Sequence, residues 1–335
     1  MRITILVMVL CFSLTSLVSS KEIHAIKDFP IGIRQHGMGN AGVALADDES
    51  ALFYNPAGLG LKNPTFQGGS GIYQWDRYIY SVESQFSALA YQFPQLHNVG
   101  IGAYYRQYPE SSMTEMIVTS NGMITTGKTY RFNQYSFAFG TGITLYSTEH
   151  FAHCIGTGLM VYTENEIDSY FRSSHSKFDI NVGYLVCFAK RLQFGLQMVF
   201  NDYLKSGFKN DNSAYGSEPG FIAISTGLGY KDVFRSGDND LLRVAAEISY
   251  SNYGPPLKFG AEAQLFNSCA FRIGEQGDIF SIGTGIALFN HFECNFYWPS
   301  NNEDTYYPKS LGFSIRFCRI LAWSKDDWQW WKHKE

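Results

Sequence analysis

Charge is scarce in this chain. Only 17% of its 335 residues are Asp, Glu, Lys or Arg, against about a quarter in soluble domains. The 26 basic residues do not exceed the 30 acidic ones, so no basic stripe supports nucleic-acid binding. Beyond residue 20 no apolar run is long enough for a helix across a bilayer. Cysteine is equally sparse. Cys11 sits in the first segment, and Cys154, Cys187, Cys269, Cys294 and Cys318 follow. That odd remainder, without CxxC spacing, excludes a disulfide framework and a zinc site, and the five read as small apolar wall residues. Neither GxSxG nor HExxH occurs, and Glu149, His150 and His153 are too few, in one turn, to complete a metal site. No enzymatic activity and no cofactor are expected.

What is present has an uneven distribution. Arg2 precedes an apolar run from Ile3 to Leu10 that continues through Phe12 and Leu14 and closes on Ser16, Val18, Ser19 and Ser20. This reads as a signal peptide over 1–20. Cys11 follows Leu10 in mid-run, so it does not read as a lipidation site. The chain carries 22 Tyr, 27 Phe and 32 Gly. A secreted β-sandwich also uses aromatics and glycine, so strand length has to discriminate.

From residue 65 to 317 apolar and small or polar residues alternate, the period of strands with two unlike faces. Val99, Ile101, Ala103 and Tyr105 oppose Gly100, Gly102, Tyr104 and Arg106. Tyr135, Phe137, Phe139, Thr141 and Ile143 oppose Ser136, Ala138, Gly140 and Gly142. Such runs exceed the usual five or six residues of soluble strands and suit the roughly 9–11 of tilted membrane strands. Fourteen strands would leave about 18 residues for each strand and its connection, and twelve or sixteen also fit. The sequence therefore predicts an all-β, transmembrane antiparallel barrel over 65–317. Polar stretches at 107–129, 163–177, 203–219 and 299–307 read as long outer loops.

The polar face carries Arg106, Asp179, Arg243, Glu247, Lys258, Glu262, Glu293 and Arg316. An Arg or Lys turned to lipid at mid-bilayer costs about 2–4 kcal/mol. All eight are therefore expected to line the lumen, chiefly as bracing charge pairs.

Between leader and barrel, residues 21–64 do not alternate. The small residues around Gly37, Gly39, Ala41 and Gly42 permit close backbone packing, as a segment inside a barrel requires. Asp47 or Asp48 is placed to cap a short helix with Ala51, Leu52 and Phe53 as its body, and Asn55-Pro56 ends it. The run GMGNAGVALADDESALFYNPAGL resembles the N-terminal signature of the FadL superfamily of outer-membrane proteins and that of the related PorV/PorQ-like proteins. The resemblance implies a hatch inside a 14-stranded barrel, with Gly37, Gly39, Asp47, Asp48, Asn55, Pro56 and Ala57 as matching plug residues.

It further implies a bacterial outer-membrane location among lipid, and one of two roles. The first is passive passage of small hydrophobic compounds. The second is a protein-secretion role of the type IX kind, binding or anchoring exported proteins. Residues 318–335 form a tail in which Trp323, Trp328, Trp330 and Trp331 mix with charges, as at a membrane interface or a periplasmic contact.

Overall fold

The computed structural model describes residues 31–61, 69–78, 83–93, 96, 98–119, 122–167, 172–189, 191–200, 222–231, 235–236, 239–240, 242–250, 257–265, 268–277, 279–288, 292–300 and 310–318. The expected leader, the expected loop at 203–219, most of 299–307 and the four tail tryptophans lie outside them.

The described residues form a closed antiparallel barrel of fourteen strands in meander order. These are β1 (Ser70–Tyr78), β2 (Glu83–Gln92), β3 (Val99–Thr119), β4 (Gly122–Ser147), β5 (Phe151–Ile167), β6 (Arg172–Phe188), β7 (Leu192–Phe200), β8 (Ile222–Tyr230), β9 (Leu242–Tyr250), β10 (Leu257–Leu265), β11 (Cys269–Gln276), β12 (Ile279–Leu288), β13 (Phe292–Ser300) and β14 (Ser310–Phe317). A two-residue hairpin, Arg235–Ser236 with Asn239–Asp240, stands between β8 and β9. Closure is made by β1 against β14, from Gly71 opposite Phe317 to Tyr78 opposite Ser310. No backbone edge is left in the ring, as hydrocarbon demands.

Alternation sets the two faces. Phe137, Phe139, Leu145, Ile155, Leu159, Phe271, Ile273, Ile282 and Phe296 point outward and are exposed, a face that is stable in lipid and not in water. Trp298 and Trp75 stand toward one end of this band, and Phe151, Phe188, Phe292 and Phe317 toward the other, as the aromatic girdles of membrane barrels do.

Two of the expected loops are strand instead. Residues 107–119 and 122–129 extend β3 and β4, and most of 163–177 extends β5 and β6. The first of these stretches mixes polar residues with Met113, Met116, Ile117 and Val118 and shows no period of two, so alternation does not mark it as strand. Pro109 lacks an N–H, and the ladder slips its register there, between Tyr108 and Ser111. By strand direction all four polar stretches leave the same end of the barrel. The short turns between β2 and β3, β4 and β5, and β6 and β7 occupy the other.

Inside sits the hatch, residues 31–61, almost wholly buried. It contains α1 (Ile33–Gly37), α2 (Ala51–Tyr54) and a 3₁₀ turn at Pro56–Gly60. Helix α2 has the expected body and stops before Asn55-Pro56. Its N-cap is Ser50, not an aspartate. Asp48 instead accepts the Ser50 N–H at 2.9 Å through Oδ1, and its other oxygen accepts from Gln35 Nε2 at 2.6 Å.

Candidate functional site: a hatch seated on glycine and clamped by charge

The hatch meets the wall in two chemically different ways. Toward β3–β7 it lies on glycine. Gly100, Gly142, Gly156 and Gly183 stand directly opposite one another across β3, β4, β5 and β6, and Gly102, Gly140 and Gly158 form a second row. A methyl group on Gly142 would come 2.5 Å from the Pro56 carbonyl oxygen. On Gly100 it would overlap the Leu59 carbonyl, and on Gly156 the Pro56–Ala57 peptide. The rows continue at Gly195 under Val43, Gly260 under Met38 and Gly274 under Gly39. Gly37 and Gly283 then approach within 3.0 Å of a built methyl carbon. Gly39 also needs its glycine conformation, at φ 61°.

Amides fasten the backbone laid on this surface. Asn181 Nδ2 donates to the carbonyls of Leu52 and Phe53 at 3.0 Å each, Thr144 Oγ1 to Gly60 at 2.5 Å, and Gln92 Nε2 to Leu61 at 3.2 Å. Asn55 is completely buried. Its Nδ2 donates to Val43 and to Tyr184 of the wall, at 2.9 and 3.1 Å, and its Oδ1 accepts the Ala57 N–H at 3.2 Å. Pro56, fixed in φ and lacking a donor, suits the first position of the 3₁₀ turn that follows.

Toward β8–β14 the hatch is held by ions. Arg34 in α1 makes a two-pronged contact with Glu262, Nε to Oε2 at 2.9 Å and Nη2 to Oε1 at 3.1 Å. Its Nη1 also donates to Asp47 at 2.5 Å and Asp48 at 3.2 Å. Asp47 takes Lys231 Nζ at 2.6 Å and faces Arg243 at 3.7 Å. Glu262 takes Arg272 at 2.7 Å and Arg243 at 3.4 Å. Arg272 passes the chain to Glu293 at 3.1 Å, and Arg316 links Glu293 at 3.3 Å with the buried Glu49 of the hatch at 2.8 Å. Further along β9, Glu247 accepts the N–H groups of Gly42 and Val43 at 3.0 Å each and Lys258 Nζ at 2.6 Å.

Of the lumen residues read from the sequence, Arg243, Glu247, Lys258, Glu262, Glu293 and Arg316 come together here. Arg106 and Asp179 are buried across the lumen on β3 and β6. Arg34, Glu49, Lys231, Arg272 and Asn295 complete the network without having been singled out. Arg272 lies on a strand, β11, whose alternation carried an inward charge like the others.

The hatch carboxylates feel these fields in opposite ways. Burial raises Asp47, but Arg34, Lys231 and Arg243 together outweigh it and hold the group well below the usual carboxylate range. At Glu49 burial dominates the pull of Arg316 and leaves the group raised. A depressed Asp47 contributes stability that is full above its unfolded value of about 3.9 and is lost as pH falls through the folded one. A raised Glu49 gains on protonation. Protection factors of the amides across residues 31–61, with the intrinsic pH dependence of exchange divided out, should therefore not fall between neutral pH and about pH 5 and should drop only below about pH 4. Lower protection already at about pH 6 would show that Asp47 is not the holding group.

Next to the hatch, on the side where β3–β6 extend, Ile31, Phe53, Tyr104, Arg106, Ser136, Met160 and Tyr162 line a recess. It has room for little more than a water molecule. Tyr104 Oη lies 2.7 Å from Met160 Sδ, closing its floor.

With this geometry the solved structures can be compared. The chain shares its fold with hydrocarbon transporters. The Ralstonia pickettii toluene transporter TbuX aligns at 13% identity with a TM-score of 0.55, over 86% of this chain and 97% of that one. The CymD monoaromatic hydrocarbon channel aligns at 10% and 0.53 over 86% and 97%. The P. putida toluene transporter TodX gives 9% and 0.52 over 86% and 98%. No family profile and no curated protein matches the sequence. The observed strand number is the one that the FadL resemblance implies.

Proposed function

We propose that this chain is a gated channel of the bacterial outer membrane for small hydrophobic compounds, held here in its plugged state. One observation carries the reading. The hatch fills the lumen and is fitted to it strand by strand, while a mostly apolar recess of Ile31, Phe53, Tyr104, Met160 and Tyr162, with Arg106 and Ser136, abuts it. Those side chains offer aromatic faces and a polarisable sulfur, which favour an apolar ring or acyl chain over a polar solute. The recess is too small to hold one as it stands, so entry must move the hatch. The similar solved proteins are named for toluene and monoaromatic hydrocarbons. That agrees with the chemistry of the recess at the level of fold.

Uptake of a labelled small aromatic and of a medium-chain fatty acid into cells making the chain tests the proposal. Expression should speed entry of at least one compound, and Met160→Lys, replacing the polarisable thioether with a second cation beside Arg106, should return entry to background. Asn55→Ala leaves the Val43 and Tyr184 carbonyls and the Ala57 N–H without their partner, at about 1–3 kcal/mol each. This variant should leak. The reading fails if the wild type and Asn55→Ala alike bind and pass nothing. A secretion role would draw on the tail, and no observation among the described residues favours it.

A further inference from the structure

We propose that the short-turn rim of the barrel binds the phosphate headgroup of a phospholipid, with His153 as the donor. The inference rests on the barrel spanning a membrane and not on what passes through it.

His153 stands on the outward face of β5, just beyond the exposed band of Ile155 and Leu159. A half-buried imidazole at the edge of a lipid-facing surface is an unusual choice beside so many Phe and Leu. Its geometry is fixed on three sides. Nδ1 lies 2.6 Å from Tyr184 Oη, Phe151 packs edge-on at 4.1 Å, and Phe188 closes on Phe151 at 4.8 Å. If the tyrosine hydroxyl donates to Nδ1, the neutral ring carries its proton on Nε2. Among the described residues Nε2 has no hydrogen-bond partner.

The turns around it are tied together. The Thr148 and Phe151 backbones bond at 2.7 Å, Ala189 N donates to His150 O at 2.5 Å, and Lys231 N to Arg191 O at 2.8 Å. Three successive turns thus make one rim around the aromatic cluster. An N–H donor held at the level where acyl chains end complements a phosphodiester oxygen. The apolar wall of Ile155, Leu159 and Val182 takes the acyl chains. In the outer-membrane orientation this end faces the periplasm, whose leaflet supplies phospholipid.

Native mass spectrometry of the detergent-purified chain with added phosphatidylglycerol tests the site. The wild type should retain one lipid. His153→Phe keeps the ring packing and removes the donor, and should lower retention about tenfold, the worth of one hydrogen bond to a charged group. Tyr184→Phe unfixes the imidazole and should lower it less, and migration of unheated samples on gels reports that both barrels are folded. Diacylglycerol, with no phosphate, should be held weakly by all three. Equal phosphatidylglycerol retention by wild type and both variants, or diacylglycerol held as well as phosphatidylglycerol, overturns the site. Failure of the wild type to enter lipid nanodiscs overturns the membrane reading as well.

Discussion

Replacing Gly142 and Gly156 together with alanine is expected to unseat the hatch while the barrel stays folded. The two stand opposite each other on β4 and β5, and both new methyl groups would point into the backbone of Pro56–Gly60. Backbone cannot rotate away as a side chain does. Overpacking a fitted site costs about 1–3 kcal/mol, and the two costs act on one short segment. The barrel ladder has no such overlap, because the methyls leave the strands on the inner side only. Protease cleavage within 31–61 should therefore rise by at least an order of magnitude, with the thermal unfolding of the strands little changed. Gly227→Ala is the milder comparison, since its methyl would meet the Ala246 carbonyl oxygen and Ala44 N of the hatch at 3.3 Å, not at the 2.3–2.5 Å of the paired sites. If the paired variant keeps the hatch as protected as Gly227→Ala does, close seating on glycine is not what holds it.

Arg34→Met is expected to free the opposite edge. Its guanidinium faces three carboxylates, Glu262, Asp47 and Asp48, and removing it leaves them mutually repelling in a site nearly closed to water. Breaking one partner out of a buried ion pair costs about 3–5 kcal/mol. Arg34→Lys keeps the charge but loses the fork to Glu262, so it should fall between wild type and Arg34→Met. Hydrogen exchange of α1 measures the loss. A hatch held by shape alone would tolerate methionine as well as arginine, and exchange unchanged in Arg34→Met would decide for shape.

Much of this was legible in the sequence because a membrane barrel enforces its alternation. Lipid outside and a packed plug inside leave Phe137 and Phe139 only one face, and Ser136 and Ala138 the other. The same rule located the inward charges Glu247 and Glu262. It failed where lipid ends. Residues 107–119 and 122–129 pair as strands, and no periodicity marks them.

The contacts of the hatch were harder to read. Asn55 and Asp48 belong to a recognisable run, yet nothing local to Arg34 or Glu49 shows that their partners lie 228 and 267 residues downstream. The glycine rows were visible as inward small residues at every second position of β3 and β4. Their meaning required the register, which sets Gly100, Gly142, Gly156 and Gly183 side by side as one surface.

The ring of hatch contacts also dictates an order of assembly. Gly32 N donates to Gln74 on β1 at 2.9 Å, and Glu49 pairs with Arg316 on β14. The docking surface therefore straddles the seam, and it is complete only after the first and last strands have joined. Contacts so distant along the chain form late, since the intervening loop entropy must be overcome first. The segment that precedes every strand along the chain is thus the last to find its place, and the nascent cylinder must close around an interior that this segment has yet to fill.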